Sequence, residues 1–298
     1  MNKLKNANGV VIPYIGLGTF PLQGQMLAEI VKCAVKLGYR IIDTADDYRG
    51  ETGIGEAIKD MELEGICKRE DLFIQTKISD NASHADEPLA GLFFNNYSHF
   101  MKRHSVDEIV REKVDNSLRE LKTEYIDSLL IHLPYPNYYE DIWETMIDIQ
   151  KEGKIRYIGV SNFHERHIET LKKHGVIPAI NEIYISPIGT KEEQIEYNHN
   201  NDIQLMTYSP LKDLAHNRIN ISVLQPIMDK YQKSLAQVIL RWNIDRGCIP
   251  LPMTKSPKRL EENINVFDFS FTDKEVETIS SLNMDYQYLT ESKICPGL

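Results

Sequence analysis

The feature that most limits how this chain can fold is an alternation of short apolar runs with stretches of helical periodicity. The runs fall at 15–19, 40–44, 72–77, 128–133, 157–161, 179–184, 204–208 and 247–251. Several are apolar nearly throughout, the signature of parallel strands covered on both faces. Between them lie helical stripes. Val106, Ile109, Val110, Val114, Leu118 and Leu121 form one, and Leu235, Val238, Ile239 and Trp242 form another. Helix starts are marked by a hydroxyl residue with an acid or amide three positions on: Ser105 with Glu108, Thr190 with Glu193, Ser234 with Gln237, and Thr272 with Glu275. In such a pair the hydroxyl accepts from an orphan N–H while the later side chain reaches back to the cap.

Strands and helices in strict alternation predict an α/β fold of the (β/α)8 TIM-barrel type, with the active site at the C-terminal ends of the strands. No repeat and no Pro/Gly/Ser-rich linker divides the chain, so residues 1–298 are expected to form one barrel domain. An open doubly wound sheet is the rival, but it carries a glycine-rich fingerprint directly after its first strand. Gly50, Gly53 and Gly55 have the wrong spacing for that and follow no strand directly. At the front, Asn8-Gly9 suits a type I′ hairpin turn, and the arm through 9–13 is expected to plug the barrel bottom.

Composition enters mainly through what it excludes. A net charge of −10 argues against nucleic acid or an anionic membrane as partner, since both call for a basic surface, but leaves room for an anionic cofactor held by a local cluster of cations. No run of about 18 apolar residues suggests a membrane span. The N-terminus lacks an apolar signal core, so a cytoplasmic protein, a monomer or weak homo-oligomer, is expected. Cysteines 33, 67, 248 and 295 form no C-x-x-C pair, which favours free thiols over a zinc site or a disulfide framework.

If the barrel reading holds, polar residues at strand ends converge on one mouth. The second run ends in Asp43-Thr44-Ala45-Asp46-Asp47-Tyr48, the third in Lys77, the fourth in His132, the fifth in Ser161-Asn162, and the seventh in Tyr208-Ser209-Pro210, while the sixth carries Asn181-Glu182. Each alone has a plainer use: an Asp caps turns, a Lys is solvated, a His or Tyr packs with its polar atom satisfied. An acid, a tyrosine, a lysine and a histidine around one opening are a different matter.

The runs that carry these residues resemble the aldo-keto reductase family. They are Gly38-Tyr39-Arg40-Ile41-Ile42-Asp43-Thr44-Ala45 with Tyr48, Leu72-Phe73-Ile74-Gln75-Thr76-Lys77, Leu129-Leu130-Ile131-His132, Gly153-Lys154-Ile155-Arg156-Tyr157-Ile158-Gly159-Val160-Ser161-Asn162-Phe163, and Glu262-Asn263 through Val266-Phe267-Asp268. The likeness runs in order along nearly the whole chain. It implies NAD(P)H-dependent reduction of a carbonyl to an alcohol by a tetrad of Asp43, Tyr48, Lys77 and His132. Carbonyl reduction builds negative charge on oxygen, and a proton must reach it. A tyrosine has a pKa near ~10. A neighbouring ammonium, Lys77 held by Asp43, is expected to lower it, with His132 orienting the carbonyl oxygen.

The resemblance also implies cofactor contacts. Ser161, Asn162 and Glu182 would meet the nicotinamide carboxamide, and Tyr208 would stack on its ring. Ser209 and Leu211 would meet the pyrophosphate, and Gly18, Thr19 and Asp43 are further contacts. Arg259 matches the family's phosphate-binding arginine, with Lys255 and Lys258 beside it, and Glu262 and Asn263 would contact the adenine. Two departures stand out: Glu182 replaces a common Gln, so an acceptor replaces a group that also donates. Met253-Thr254 replaces a Lys-Ser pair that grips a 2′-phosphate. NADPH is the implied cofactor, with NADH the alternative. Phe20, Tyr48, His132 and Leu133 are expected in the substrate pocket, with Tyr135, Tyr138 and Tyr139 nearby. The long loop 79–104, with Phe93, Phe94, Tyr97, His99 and Phe100, would be a lid or an ordinary surface loop. The tail 286–298 would close the site or stay unstructured. Two rival functions remain: an NADPH-binding sensor on the same fold, and a metal-dependent hydrolase, which needs several His and carboxylate ligands where only His132 stands.

Overall fold

The computed structural model describes residues 4–6, 8–79 and 105–289. Its strands are β1 (Gly16–Gly18), β2 (Ile41–Asp43), β3 (Phe73–Ile78), β4 (Ile126–Ile131), β5 (Ile155–Ser161), β6 (Ile180–Tyr184), β7 (Gln204–Tyr208) and β8 (Ile249–Leu251). The helices are α1 (Gly24–Lys36), α2 (Glu51–Leu63), α3 (Val106–Glu120), α4 (Tyr139–Lys151), α5 (Glu165–Lys172), α6 (Glu192–Asn200), α7 (Lys212–Ala215), α8 (Ile221–Tyr231), α9 (Leu235–Asp245), α10 (Pro257–Ile264) and α11 (Asp273–Ser280). The strands pair in chain order, all parallel, into a nearly closed barrel.

The last joint of that barrel differs from the others. In a strand, alternate residues aim their N–H and C=O groups to opposite sides. The Gly18 N–H donates to the Pro252 carbonyl, 3.2 Å away, so Pro252 and Pro250 face β1. Neither proline has an N–H to give. β8 therefore accepts from β1 but cannot donate to it, as expected of an edge strand. Contact is close all the same: a Cβ on Gly18 would lie 2.7 Å from the Leu251 carbonyl oxygen.

Strand periodicity splits the core. Residues two apart share a face, and one set points into the barrel. At its bottom Ile41, Phe73, Ile180, Met206 and Ile249 pack with Leu4 and Ile12. The last two come from the expected N-terminal arm, bridged antiparallel between Lys5 and Val11, so the arm does plug the barrel. The other set, including Ile42, Ile74, Leu129, Ile158 and Val160, packs against the helices. Gly55 serves this packing rather than any phosphate: a Cβ there would lie 2.4 Å from the Glu120 carbonyl.

Three helix starts are capped as the sequence predicts. Ser105 accepts from the Glu108 N–H, and Ser234/Gln237 and Thr272/Glu275 form reciprocal boxes. The expected Thr190/Glu193 box does not form. α6 starts one residue later, with Lys191 as cap in the left-handed region at φ 55° and no side-chain cap bond. Thr190 is otherwise engaged: its N–H donates to Asn283 and its carbonyl accepts from Arg246. β4 also begins earlier than expected, at Ile126 instead of residue 128, because a charged residue is built into the strand. Asp127 is fully buried, pairs with Arg69 at 2.7 Å and accepts from the Ile74 N–H at 3.0 Å. Cys67 and Cys248 are buried free thiols and Cys33 is a half-buried one, while Cys295 lies outside the described residues. No helix among the described residues is long and apolar enough to cross a membrane.

Candidate active site

At the C-terminal end the same inward columns change chemistry. Two positions above Ile41 stands Asp43, above Phe73 stand Gln75 and Lys77, and above Ile180 stands Glu182. These four are buried and mutually bonded. Lys77 Nζ lies 2.6 Å from Asp43 Oδ1 and 3.3 Å from Glu182 Oε2, and donates to the Thr44 carbonyl at 3.1 Å. Gln75 Nε2 donates to the same two carboxylates, at 2.9 and 2.8 Å, while its Oε1 accepts from Ser128. One cation thus sits between two acids out of water. Burial works against the Lys77 ammonium, but Asp43 and Glu182 outweigh it and its pKa ends above the ordinary value. Burial and the Asp43 charge push Glu182 up to about 8, against the pull of Lys77. Glu182 is therefore largely protonated at neutral pH, not the purely accepting carboxylate that its sequence position suggests.

Above this layer a cavity opens at the barrel mouth. Its wall includes Gly18, Thr19, Phe20, Asp43, Tyr48, His132, Ser161, Asn162, Glu182, Tyr208, Ser209 and Met253, all singled out from the sequence, together with Leu251, Tyr288 and Leu289. Tyr48 is in the 3₁₀ turn Asp46–Tyr48 that follows β2. Its hydroxyl lies 3.4 Å from His132 Nε2, and the Phe20 ring packs against it with centroids 5.0 Å apart. Lys77 lies beneath the wall, its Nζ 5.3 Å from the Tyr48 ring centre.

The electrostatics depart from expectation at Tyr48. Burial, with Asp43, Asp47, Glu182 and Asp46 around it, holds the hydroxyl well above its ordinary value instead of lowering it. The Lys77 ammonium is paired most closely with Asp43, at 2.6 Å. His132 is held well below its ordinary value by burial and by Lys77, so the ring is neutral.

Two wall residues are strained. Asn162 and Ser209 directly follow β5 and β7 in the left-handed region, at φ 63° and 50°. Such backbone persists where surrounding bonds hold it, often at functional sites. Here Asn162 donates to the Ser161 hydroxyl and the His132 carbonyl, and accepts from the Tyr208 hydroxyl at 2.8 Å.

Other expected site residues lie elsewhere. Leu133 does not line this cavity; it is buried in the apolar shell with Tyr135 and Tyr139. Leu211 is partly buried at the start of α7, and Lys255, Lys258, Arg259, Glu262 and Asn263 are on or just before α10. Thr254 and Asn263 are buried. Arg259, Lys255 and Lys258 have no acidic partner among the described residues. Phe93, Phe94, Tyr97, His99 and Phe100 lie outside the described residues, as do 290–298. Within the described tail, Tyr288 packs on Tyr184 and Tyr208, with centroids 5.5 and 6.2 Å apart, and Lys212 lies over its ring. Sequence reasoning missed Gln75, although its place two residues before Lys77 on one strand face was signal enough. It also missed Asp47 and Ser79 as neighbours of His132, for which the chain offers no periodic clue.

Known proteins are similar to this chain in sequence and fold. The model of the Aldo/keto reductase family matches residues 14–284. A glyoxal reductase of Bacillus subtilis is 36% identical, over 95% of this chain and 93% of its own. Methylglyoxal reductase DkgA of Escherichia coli is 34% identical, over 94% of this chain and 93% of its own. An aldo-keto reductase of Bombyx mori solved in complex with NADP superposes with a TM-score of 0.80 at 30% identity, over 97% of this chain and 95% of that one.

Proposed function

The chain belongs to the aldo/keto reductase family, and from that premise we propose that it reduces a small aldehyde or ketone to the alcohol with NADPH, Tyr48 giving the proton. The observation that carries this is a phenol and a neutral imidazole 3.4 Å apart on one cavity wall, directly over a lysine locked between two buried acids. The glyoxal and methylglyoxal reductases among the relatives put short reactive aldehydes first among substrates.

The donor set suits a nicotinamide dinucleotide. Ser161 and Asn162 offer polar atoms at the cavity wall and Tyr208 offers a ring face. Arg259, Lys255 and Lys258, which have no acidic partner among the described residues, supply cations for the phosphate end, a guanidinium being suited to bidentate phosphate contact. They favour NADPH over NADH despite Met253. The bound nicotinamide supplies the hydride, which no side chain can.

The residues of the chain do the rest. Asp43 and Glu182 fix Lys77, which stabilises negative charge near the Tyr48 ring. Tyr48 is a neutral phenol, and a developing alkoxide is basic enough to take its proton. His132 orients the carbonyl oxygen. Phe20, Tyr208 and Tyr288 keep the cavity wall apolar and exclude water, which strengthens each of these interactions.

The test mixes the protein with NADPH and a panel of aldehydes and ketones and follows loss of the reduced nicotinamide, with Tyr48→Phe in parallel. Wild-type turnover is expected, falling by ~10²–10⁴-fold in the variant while NADPH binding, read by fluorescence, is kept. NADPH binding with no turnover across the panel would favour the sensor reading. Binding of neither NADPH nor NADH would end the reductase reading.

A further inference from the structure

A second cavity adjoins the one at the barrel mouth. The two share Asn162, Tyr208, Tyr288 and Leu289 as walls. The second runs toward the ends of β5 and β6 and the start of α6, where His164, Tyr184, Lys191 and Gln194 line it. None of these last four lines the barrel-mouth cavity, and the reduction makes no use of them.

One part of the wall is aromatic. Tyr184, Tyr208 and Tyr288 pack on one another, with ring centroids 5.5, 6.0 and 6.2 Å apart. Two of the three hydroxyls are already engaged: Tyr184 donates to Asp213, and Tyr208 donates to Asn162 at 2.8 Å. What the trio offers a ligand is ring surface. Ile183 and Leu289 extend the apolar wall.

The rest of the wall is polar and carries one full positive charge. Lys191 is half-buried, and its ammonium makes neither an ion pair nor a hydrogen bond among the described residues. Burial lowers its pKa, and the Asp285 charge offsets that only in part. No acidic side chain lines the cavity. Acids close by are committed to other cations. Glu192, next in the chain, pairs with Arg246 at 2.7 Å, and Asp213, the partner of Tyr184, pairs with Arg218 at 3.4 Å. Lys212 Nζ, 3.6 Å from the Tyr288 ring centre, adds a second cation behind the aromatic wall. Gln194 Nε2 lies 3.0 Å from His164 Nδ1 and carries a further N–H. A lysine drawn out of water without a counter-charge has lost solvation that a bound anion restores through charge-assisted hydrogen bonds.

We propose that this second cavity is a binding site for a small aromatic carboxylate, its ring against the tyrosines and its carboxylate on Lys191. A bare inorganic anion would leave the ring surface unused, and a neutral aromatic would leave Lys191 without a counter-charge. The site stands apart from the reduction, since it uses none of Asp43, Tyr48, Lys77 and His132. Tyr208 and Tyr288 belong to both walls, so an occupant bears on the same rings that a ligand in the first cavity meets.

The experiment is a titration of the full chain with benzoate, followed by ligand-observed NMR, with benzyl alcohol and inorganic phosphate as comparison ligands. Benzoate is expected to bind about tenfold or more tightly than either, because a charged hydrogen bond and ring contact act together. Lys191→Met should weaken benzoate by about tenfold or more, and Lys191→Arg, which keeps the charge, should retain it. Tyr288→Ala should weaken it by about 2–10-fold. His132→Gln, which alters only the first cavity, should leave benzoate binding unchanged. Circular dichroism matching the wild type checks that each variant is folded. Benzoate binding that survives Lys191→Met and is lost in His132→Gln would place the carboxylate in the first cavity and overturn the proposal. Phosphate binding as tightly as benzoate, or no benzoate binding at all, overturns it too.

Discussion

The two ends of the barrel interior are built from the same strands and obey opposite rules. The bottom is dry and apolar, closed by Leu4 and Ile12. One strand register higher, Asp43, Gln75, Lys77 and Glu182 replace the aliphatic side chains. Burying apolar surface contributes stability at about 25 cal/mol per Å². Burying charges does not: desolvation can outweigh their mutual attraction even when geometry is good. The difference teaches that this fold separates its duties by height along the strands. The lower layer supplies stability, and the upper layer spends some of it to hold three ionisable groups in contact.

Substitutions can break or sharpen that division. Phe73→Ala, at the bottom, should lower unfolding free energy by about 3–5 kcal/mol in denaturant titration, with the rate per folded molecule little changed. Loss of catalysis in the folded fraction would show that the layers are coupled.

Glu182→Gln, at the top, should alter the dependence of stability on pH. The folded-state pKa of Glu182 is raised from 4.5 to about 8, so the native state binds more protons than the unfolded chain between those values. Stability therefore falls as pH rises through that window and levels off above it. The wild type should lose on the order of 1–3 kcal/mol between about pH 5 and about pH 8, and the Gln variant clearly less, measured as ΔG of unfolding at each pH. An unchanged slope would place the pH dependence elsewhere. Ile12→Val in the plug is the mildest test, with an expected cost of about 0.5–1.5 kcal/mol and no change in kcat.

This layering also explains what could be read in advance. The apolar runs marked the strands because parallel strands are covered on both faces, and the positions of Asp43, Tyr48, Lys77 and His132 at run ends marked the mouth. Reading failed where one residue did two things. Asp127 lies just outside the expected run 128–133, yet it sits inside the strand because Arg69 neutralises it. Thr190 had the local pattern of a cap, but Asn283 and Arg246, distant in sequence, had already claimed its backbone. The direction of the Tyr48 shift was missed for a similar reason. The neighbouring lysine is visible in the chain, but the four acidic side chains that the turn and strands gather around the ring are not.

The proline-bearing strand β8 has a consequence for whatever binds in the cavity. A barrel whose last strand can accept but not donate is a sheet with its two rims pressed together, and Gly18, Leu251 and Met253 along those rims also form the cavity wall. A ligand in contact with both rims acts as a clasp across the joint. Its binding energy then adds to the cohesion of the ring, and protection against amide exchange should rise first at Gly18.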